Sequence, residues 1–249
     1  MAQFAEDFIK DIFPEGKISF AETDPEFKAL FCDFAFDEVM QTAGLNDKTR
    51  FLAILAALTG CQALEAYREM LPAALRLGVL PEQVKEMLYQ ATAYLGYGKV
   101  FSFLKITNEV FTEIGIRLPL AGQKTVKKEN RAKAGEQIQV DIFGDGMRGF
   151  SESGDAETRH INRWLSANCF GDYYTRTGLS IAQREMLTFC FLMAQGGCEP
   201  QLIAHAKGNM RVGNDKNFLI CLVSQCLPYI GYPRSLNALR CINEAAKQV

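Results

Sequence analysis

The sequence is short of several things at once. It has two histidines, one tryptophan and, among eight cysteines, no pair at the CxxC spacing. Zinc sites are built mostly from such His and Cys pairs, so little here would hold a metal. It lacks an excess of either charge. The 27 basic and 29 acidic side chains leave a formal −2, with no basic footprint for nucleic acid or anionic lipid. It also lacks a long apolar run. The longest, Phe51 to Leu58, falls far below the ~20 residues that span a bilayer. The N-terminal MAQFAEDFIKDIF carries acids early and does not read as a signal peptide. The cysteines sit among apolar neighbours, as Cys190 does between Phe189 and Phe191, which suits buried thiols in a reducing compartment. These absences predict a cytoplasmic protein without metal or cofactor, and without nucleic-acid or membrane partners.

What is present can fill a sizeable core: 249 residues, 48% apolar and 22% charged, enough for one large domain or two ordinary ones. Self-similarity favours two. Tyr94, Gly96, Tyr97, Leu104, Asn108 and Glu109 recur as Tyr229, Gly231, Tyr232, Leu239, Asn243 and Glu244. Upstream, Phe36, Gly44, Leu45 and Arg50 recur as Phe170, Gly178, Leu179 and Arg184, one residue closer together. A single gap reconciles both stretches, which marks a tandem duplication. The patterning is helical throughout. Residues 48–59 and 182–195 are apolar nearly all round, as buried helices are. Val84, Leu88 and Ala91 keep helical spacing behind Pro81, and the following helix ends at Gly115. A short helix over about 156–167 carries Trp164. The expected class is all-α, with a first repeat over 22–117, a linker over 118–150 and a second repeat over 155–249. The linker reading rests on 118–138, polar and basic with Lys127, Lys128, Arg131 and Lys133 and no apolar face.

The two copies differ most where a site would lie. In the second, Gly196 and Gly197 end one helix and Pro200 opens the next, placing Cys198 at a helix N-terminus. Unpaired N–H groups and the dipole there favour a thiolate, although Glu199 opposes it. His205 lies two turns on along the same face, and Glu185 one turn into the preceding helix. A carboxylate facing a Cys–His pair can orient the imidazole or relay its proton. In the first copy these positions fall on Phe51, Ala63 or Leu64, and Met70 or Leu71, all apolar. One copy is expected to work and the other to support it. Arg234, just inside the last helix, Arg176 and Tyr232 are candidates to hold a substrate. Tyr173, Tyr174 and Tyr229 are expected to pack between the copies, and Cys169 and Cys190 to be core.

The segment REMLTFCFLMAQGGCEPQLIAHAKGNM, followed by PYIGYPRSLNAL, resembles the carboxymuconolactone decarboxylase family, which includes the alkylhydroperoxidase D proteins. The resemblance implies an all-helical fold with the site between helices, and threefold rings, hence a homotrimer here. In the peroxidase branch a glutamate, a CxxC pair and a histidine form a proton relay. Glu185, Cys198 and His205 match three of these, while the second cysteine is Gln201. Three readings follow. A thiol-dependent peroxidase would use Cys198, His205 and Glu185 with a thiol reductant. An acid–base enzyme of the decarboxylase kind would act on a small carboxylate or lactone through His205, with Arg234 or Arg176 holding the carboxylate. A non-enzymatic ligand-binding protein would keep only the fold.

Overall fold

Every regular element among the described residues is helical, and the chain passes through the same succession of helices twice. The computed structural model describes residues 2–13, 18–42 and 44–249. The first copy runs α1 (Gln3–Ile12), α2 (Pro25–Asp33), a π-type turn over Phe34–Glu38, α3 (Val39–Thr42), α4 (Asp47–Gly60), α5 (Leu64–Arg76), α6 (Pro81–Leu95) and α7 (Tyr97–Glu113). The second runs α8 (Arg131–Phe143), α9 (Arg159–Trp164), a longer π segment over Leu165–Tyr174, α10 (Ile181–Gln195), α11 (Glu199–Arg211), α12 (Lys216–Ile230) and α13 (Tyr232–Ala245). Among the described residues, no helix is long and apolar enough to cross a membrane.

Local chemistry sets the boundaries. Asn46, Ser180 and Asp215 each accept a backbone N–H of the first turn of α4, α10 and α12, satisfying donors the helix itself leaves open. Gly96 and Gly231, at φ +85° and +78°, turn α6 into α7 and α12 into α13. At the centre α4 and α10 pack against each other, and each also packs on the partner copy's helix: α10 on α6, α4 on α12. Residues 51–58 and 185–194 are buried along their whole length, as expected of helices apolar on all sides. A Cβ on Gly60 would lie 2.8 Å from the Phe191 carbonyl oxygen, so this glycine lets the two backbones approach. The gap between copies also finds its place: α10 is one residue longer than α4. Ala63 and Cys198 therefore precede α5 and α11 equivalently, and Met70 matches His205.

Within the segment expected to be a linker, the structure places a helix. The expected linker over 118–150 is irregular only to Asn130. From Arg131 it forms α8, which packs on the π segment and on α11. Its Gly135 sits so close that a Cβ would fall 1.9 Å from the Ser166 carbonyl oxygen, and Gly171 meets the Arg131 carbonyl in the same way. The helix went unrecognised because backbone proximity between two glycines, with buried Gln139, Val140 and Ile142, supplies the packing that an apolar stripe normally would.

Candidate active site

Glu185 and His205 face each other across α10 and α11. Nδ1 of His205 lies 2.8 Å from Oε2 of Glu185, and both residues are buried. The room for this carboxylate comes from Gly208, where a Cβ would stand 2.7 Å from Glu185 Oε2. Asn209 clamps the two helices, donating to the backbone carbonyls of Glu185 and His205 at 2.9 and 2.8 Å.

With Glu185 as the carboxylate, hydrogen-bond polarity orders the groups around it. An ionised Glu185 only accepts, so Tyr174 donates to its Oε1 at 2.8 Å. Having spent its proton, the Tyr174 oxygen accepts from Tyr94 at 2.9 Å and Thr188 at 2.7 Å. Gln90 donates to Thr188, and the Cys169 thiol donates to Tyr94 at 3.7 Å. Every proton of this chain points towards Glu185, and by the same rule His205 donates from Nδ1. Nε2 is then the ring nitrogen that Glu185 does not engage. Burial pushes the Tyr94 and Tyr174 phenols well up, with the Glu185 charge adding to the rise, so both stay neutral donors.

His205 lines a cavity of about 460 Å³ together with Tyr94, Phe143, Cys198, Gln195 and Gln201. The ring is gripped edge to face by Tyr94 of the first copy and Phe143 of α8, with centroids 5.4 and 5.3 Å away. Apolar Leu165, Phe170 and Leu192 make up much of the remaining wall, and three amides, Gln139, Gln195 and Gln201, are its other polar groups beside Tyr94 and the thiols. Such a chamber, largely apolar with a few aimed polar groups, fits a small organic molecule.

Of the residues singled out from sequence, Glu185, Cys198 and His205 come together here. The expectation of a Cys198 thiolate is corrected. Its thiol lies 3.5 Å from the Leu192 carbonyl, to which it donates. Burial pushes its pKa up, and Glu199 adds to this, against opposition from Gln195, Arg234 and Lys99. The arginines are corrected too. Arg176 is an ion-pair partner of Glu86 at 2.9 Å and lies over Tyr89, away from the cavity. Arg234 covers Gly196 at the C-terminus of α10, where the helix dipole favours a cation, and lines a separate cleft with Lys99 and Cys61. Tyr232 is exposed on α13 and does not line the cavity. Tyr174, expected to pack, donates to Glu185, and Cys169 lines the cavity. Missed altogether were Tyr94, Phe143, Gln139 and Gly208. A glycine inside an otherwise helical pattern was the one signal that pointed to the last.

Comparison with known proteins follows the same duplication. Residues 25–109 and 160–244 each match the profile of the carboxymuconolactone decarboxylase family. Over 91 residues the chain is 29% identical to the 4-carboxymuconolactone decarboxylase of Acinetobacter baylyi, covering 36% of this chain and 68% of that protein. A crystal structure described as a gamma-carboxymuconolactone decarboxylase subunit from Burkholderia xenovorans aligns over 98% of this chain and 96% of its own, with a TM-score of 0.52. At 20% identity that likeness is one of fold.

Proposed function

The chain belongs to the carboxymuconolactone decarboxylase family, and within it we propose an acid–base enzyme in which His205 moves a proton to or from a small carboxylate or lactone. The observation that carries this is the 2.8 Å contact between His205 Nδ1 and Glu185, made by a histidine that also lines the cavity. A base must reach its proton and be held in one orientation; the carboxylate and the flanking aromatic rings do the holding. As a neutral ring Nε2 accepts a proton, and as an imidazolium it returns one. Loss of carbon dioxide leaves the bonding pair on the substrate, and an adjacent imidazolium can protonate the carbon that receives it. The apolar walls and the three amides suit an organic acid whose carboxylate is shed rather than gripped. The name of the Acinetobacter relative makes 4-carboxymuconolactone the first substrate to try.

A thiol-peroxidase reading ranks second, because Cys198 lines the same chamber. It is weakened by a thiol held protonated and by glutamine at position 201. One pair of variants separates the readings. Acid–base chemistry predicts that Cys198→Ser keeps most activity while His205→Ala loses it, in decarboxylation followed by ultraviolet absorbance. Peroxide reduction predicts the loss of both, in a peroxide-consumption assay. A wild type inactive in both assays would leave a ligand-binding protein.

A further inference from the structure

The cleft that Arg234 lines is built from equivalent residues of the two copies. It measures about 490 Å³ and lies where α4 and α10 end. Gly60 and Cys61 have Ala194 and Gln195 as their counterparts, and Lys99 in the first turn of α7 has Arg234 in the first turn of α13. The cleft therefore sits on the axis that relates the copies, and it carries a net positive charge. The C-termini of α4 and α10 each present roughly half a negative charge and the N-termini of α7 and α13 roughly half a positive one, so two full cations remain. No aspartate or glutamate lines the cleft. Among the described residues Arg234 makes no hydrogen bond or ion pair, and Lys99 only donates to Gln195 Oε1 at 3.2 Å. Both charges pull the Cys198 pKa down, so both heads lie within Coulomb range of one thiol. A strained residue completes the lining. Gln62, the only non-glycine at positive φ among the described residues, holds +63° where the second copy has Gly196 and Gly197 at +66° and +69°. A Cβ makes that conformation costly, which marks a side chain retained for use. Its amide donates to the Thr59 carbonyl at 2.7 Å and lines the cleft.

We propose that this cleft is a second ligand site, taking a small organic dicarboxylate with one carboxylate on Arg234 and the other on Lys99. Charge, geometry and size each narrow the class. Two unpaired cations call for a dianion. The arginine fork matches a carboxylate through two parallel N–H···O bonds, and the lysine ammonium gives the second carboxylate a point charge. The cleft is several times larger than the roughly 150 Å³ that holds a benzene molecule, which leaves room for a carbon chain between the two charges. The amides of Gln62 and Gln195 are further polar groups for the remaining oxygens. Gln195 also lines the His205 chamber, so the two cavities share one wall. The charge of the cleft does not depend on what His205 does, and neither does the proposal.

Calorimetric titration of the full chain at low salt with succinate, acetate, succinamide and inorganic phosphate tests it. Succinate should bind once per chain, more tightly than acetate or phosphate, and uncharged succinamide should not bind. Added sodium chloride should weaken succinate, because both cations are exposed. Arg234→Gln and Lys99→Gln should each weaken it about tenfold, the value of one charge-assisted hydrogen bond. His205→Ala should leave it unchanged, which excludes binding in the neighbouring chamber. The proposal is overturned if succinate shows no saturable binding, or if phosphate binds more tightly than succinate. It is equally overturned if both glutamine variants bind succinate as the wild type does, or if His205→Ala removes binding. Should either glutamine variant lose its fold by circular dichroism, the ligand series and His205→Ala still decide.

Discussion

Glu185 takes hydrogen bonds from Tyr174 and His205 and gives none, so the geometry around it tolerates a carboxylate and little else. Glu185→Gln keeps the shape but must point its NH2 at a hydroxyl that is already donating or at the imidazole. Either choice disturbs the tautomer that leaves Nε2 a base. We expect kcat/KM to fall about 10²–10⁴-fold with the melting temperature close to wild type; a loss below tenfold would remove the pair from the chemistry. Cys198 behaves differently. With its pKa raised by burial, alkylation by iodoacetamide at pH 8 should be slower than for free cysteine, and the rate should still be climbing past pH 9. A fast reaction at neutral pH would revive the thiolate. Glu86 is a third test, of stability alone. It pairs with fully buried Arg184 at 3.0 Å and with Arg176, across the copies. Glu86→Ala should cost about 3–5 kcal/mol in urea unfolding, because it strands a buried guanidinium.

Among the helices, α4 and α10 were readable because burial on all sides makes a sequence apolar on all sides. The cap at Ser180, with Gln183 returning the bond, lies in the same class of local signal. Helix α8 escaped because its contact is made by backbone. Where Gly135 and Gly171 meet the opposing chain, any side chain is an obstruction. Gly171→Ala would set its Cβ 2.3 Å from the Arg131 carbonyl oxygen, so α8 must lift from the π segment. The expected destabilisation is about 1–3 kcal/mol by chemical denaturation, and Phe143 and Gln139 would shift with the helix, lowering activity too. Gly98, inside α7 with open space around its Cα, is the control: Gly98→Ala should be neutral or slightly stabilising. The site follows the same division. Glu185, Cys198 and His205 stood out by their spacing along two consecutive helices. Tyr94 and Phe143 come from helices far away in sequence, and no local pattern announces a ring brought there by folding.

For the whole molecule, the duplication repeats the outer surface as well as the core. Exposed Tyr97 and Phe101 on α7 recur as exposed Tyr232 and Leu236 on α13. An apolar patch displayed twice in equivalent positions suits ring closure, in which one copy's face meets the other's on the next chain. The proposed homotrimer should give about three times 27.8 kDa by light scattering after size exclusion, and Leu236→Lys with Phe101→Lys should reduce it to single chains. A wild-type monomer at micromolar concentration would refute it. Alkaline pH is a second global lever. Burial raises Cys32 to about 11 and Cys169 to about 12, while unfolded thiols ionise near about 8.5. Above that value the unfolded chain releases protons that the folded one retains. Stability contributed by these thiols is therefore complete below about pH 8.5 and is lost as pH climbs towards 11–12. Urea midpoints should fall through that window, and Cys169→Ala should flatten part of the slope.

Helical class, duplication, and the loss of polar site residues from the first copy were determined by sequence alone. Each rests on residues near one another along the chain or on the chain compared with itself. The tertiary structure decided what depends on distant segments meeting. It seated Tyr94 of one copy against His205 of the other and drew Arg176 into a buried ion pair. It placed Arg234 over the end of α10, outside the chamber, and it held the Cys198 thiol in its protonated form against the pull of its own helix. Spacing shows which groups can share a helix face. Desolvation and charge pairing, which set their chemistry, arise only once the other helices have closed around them.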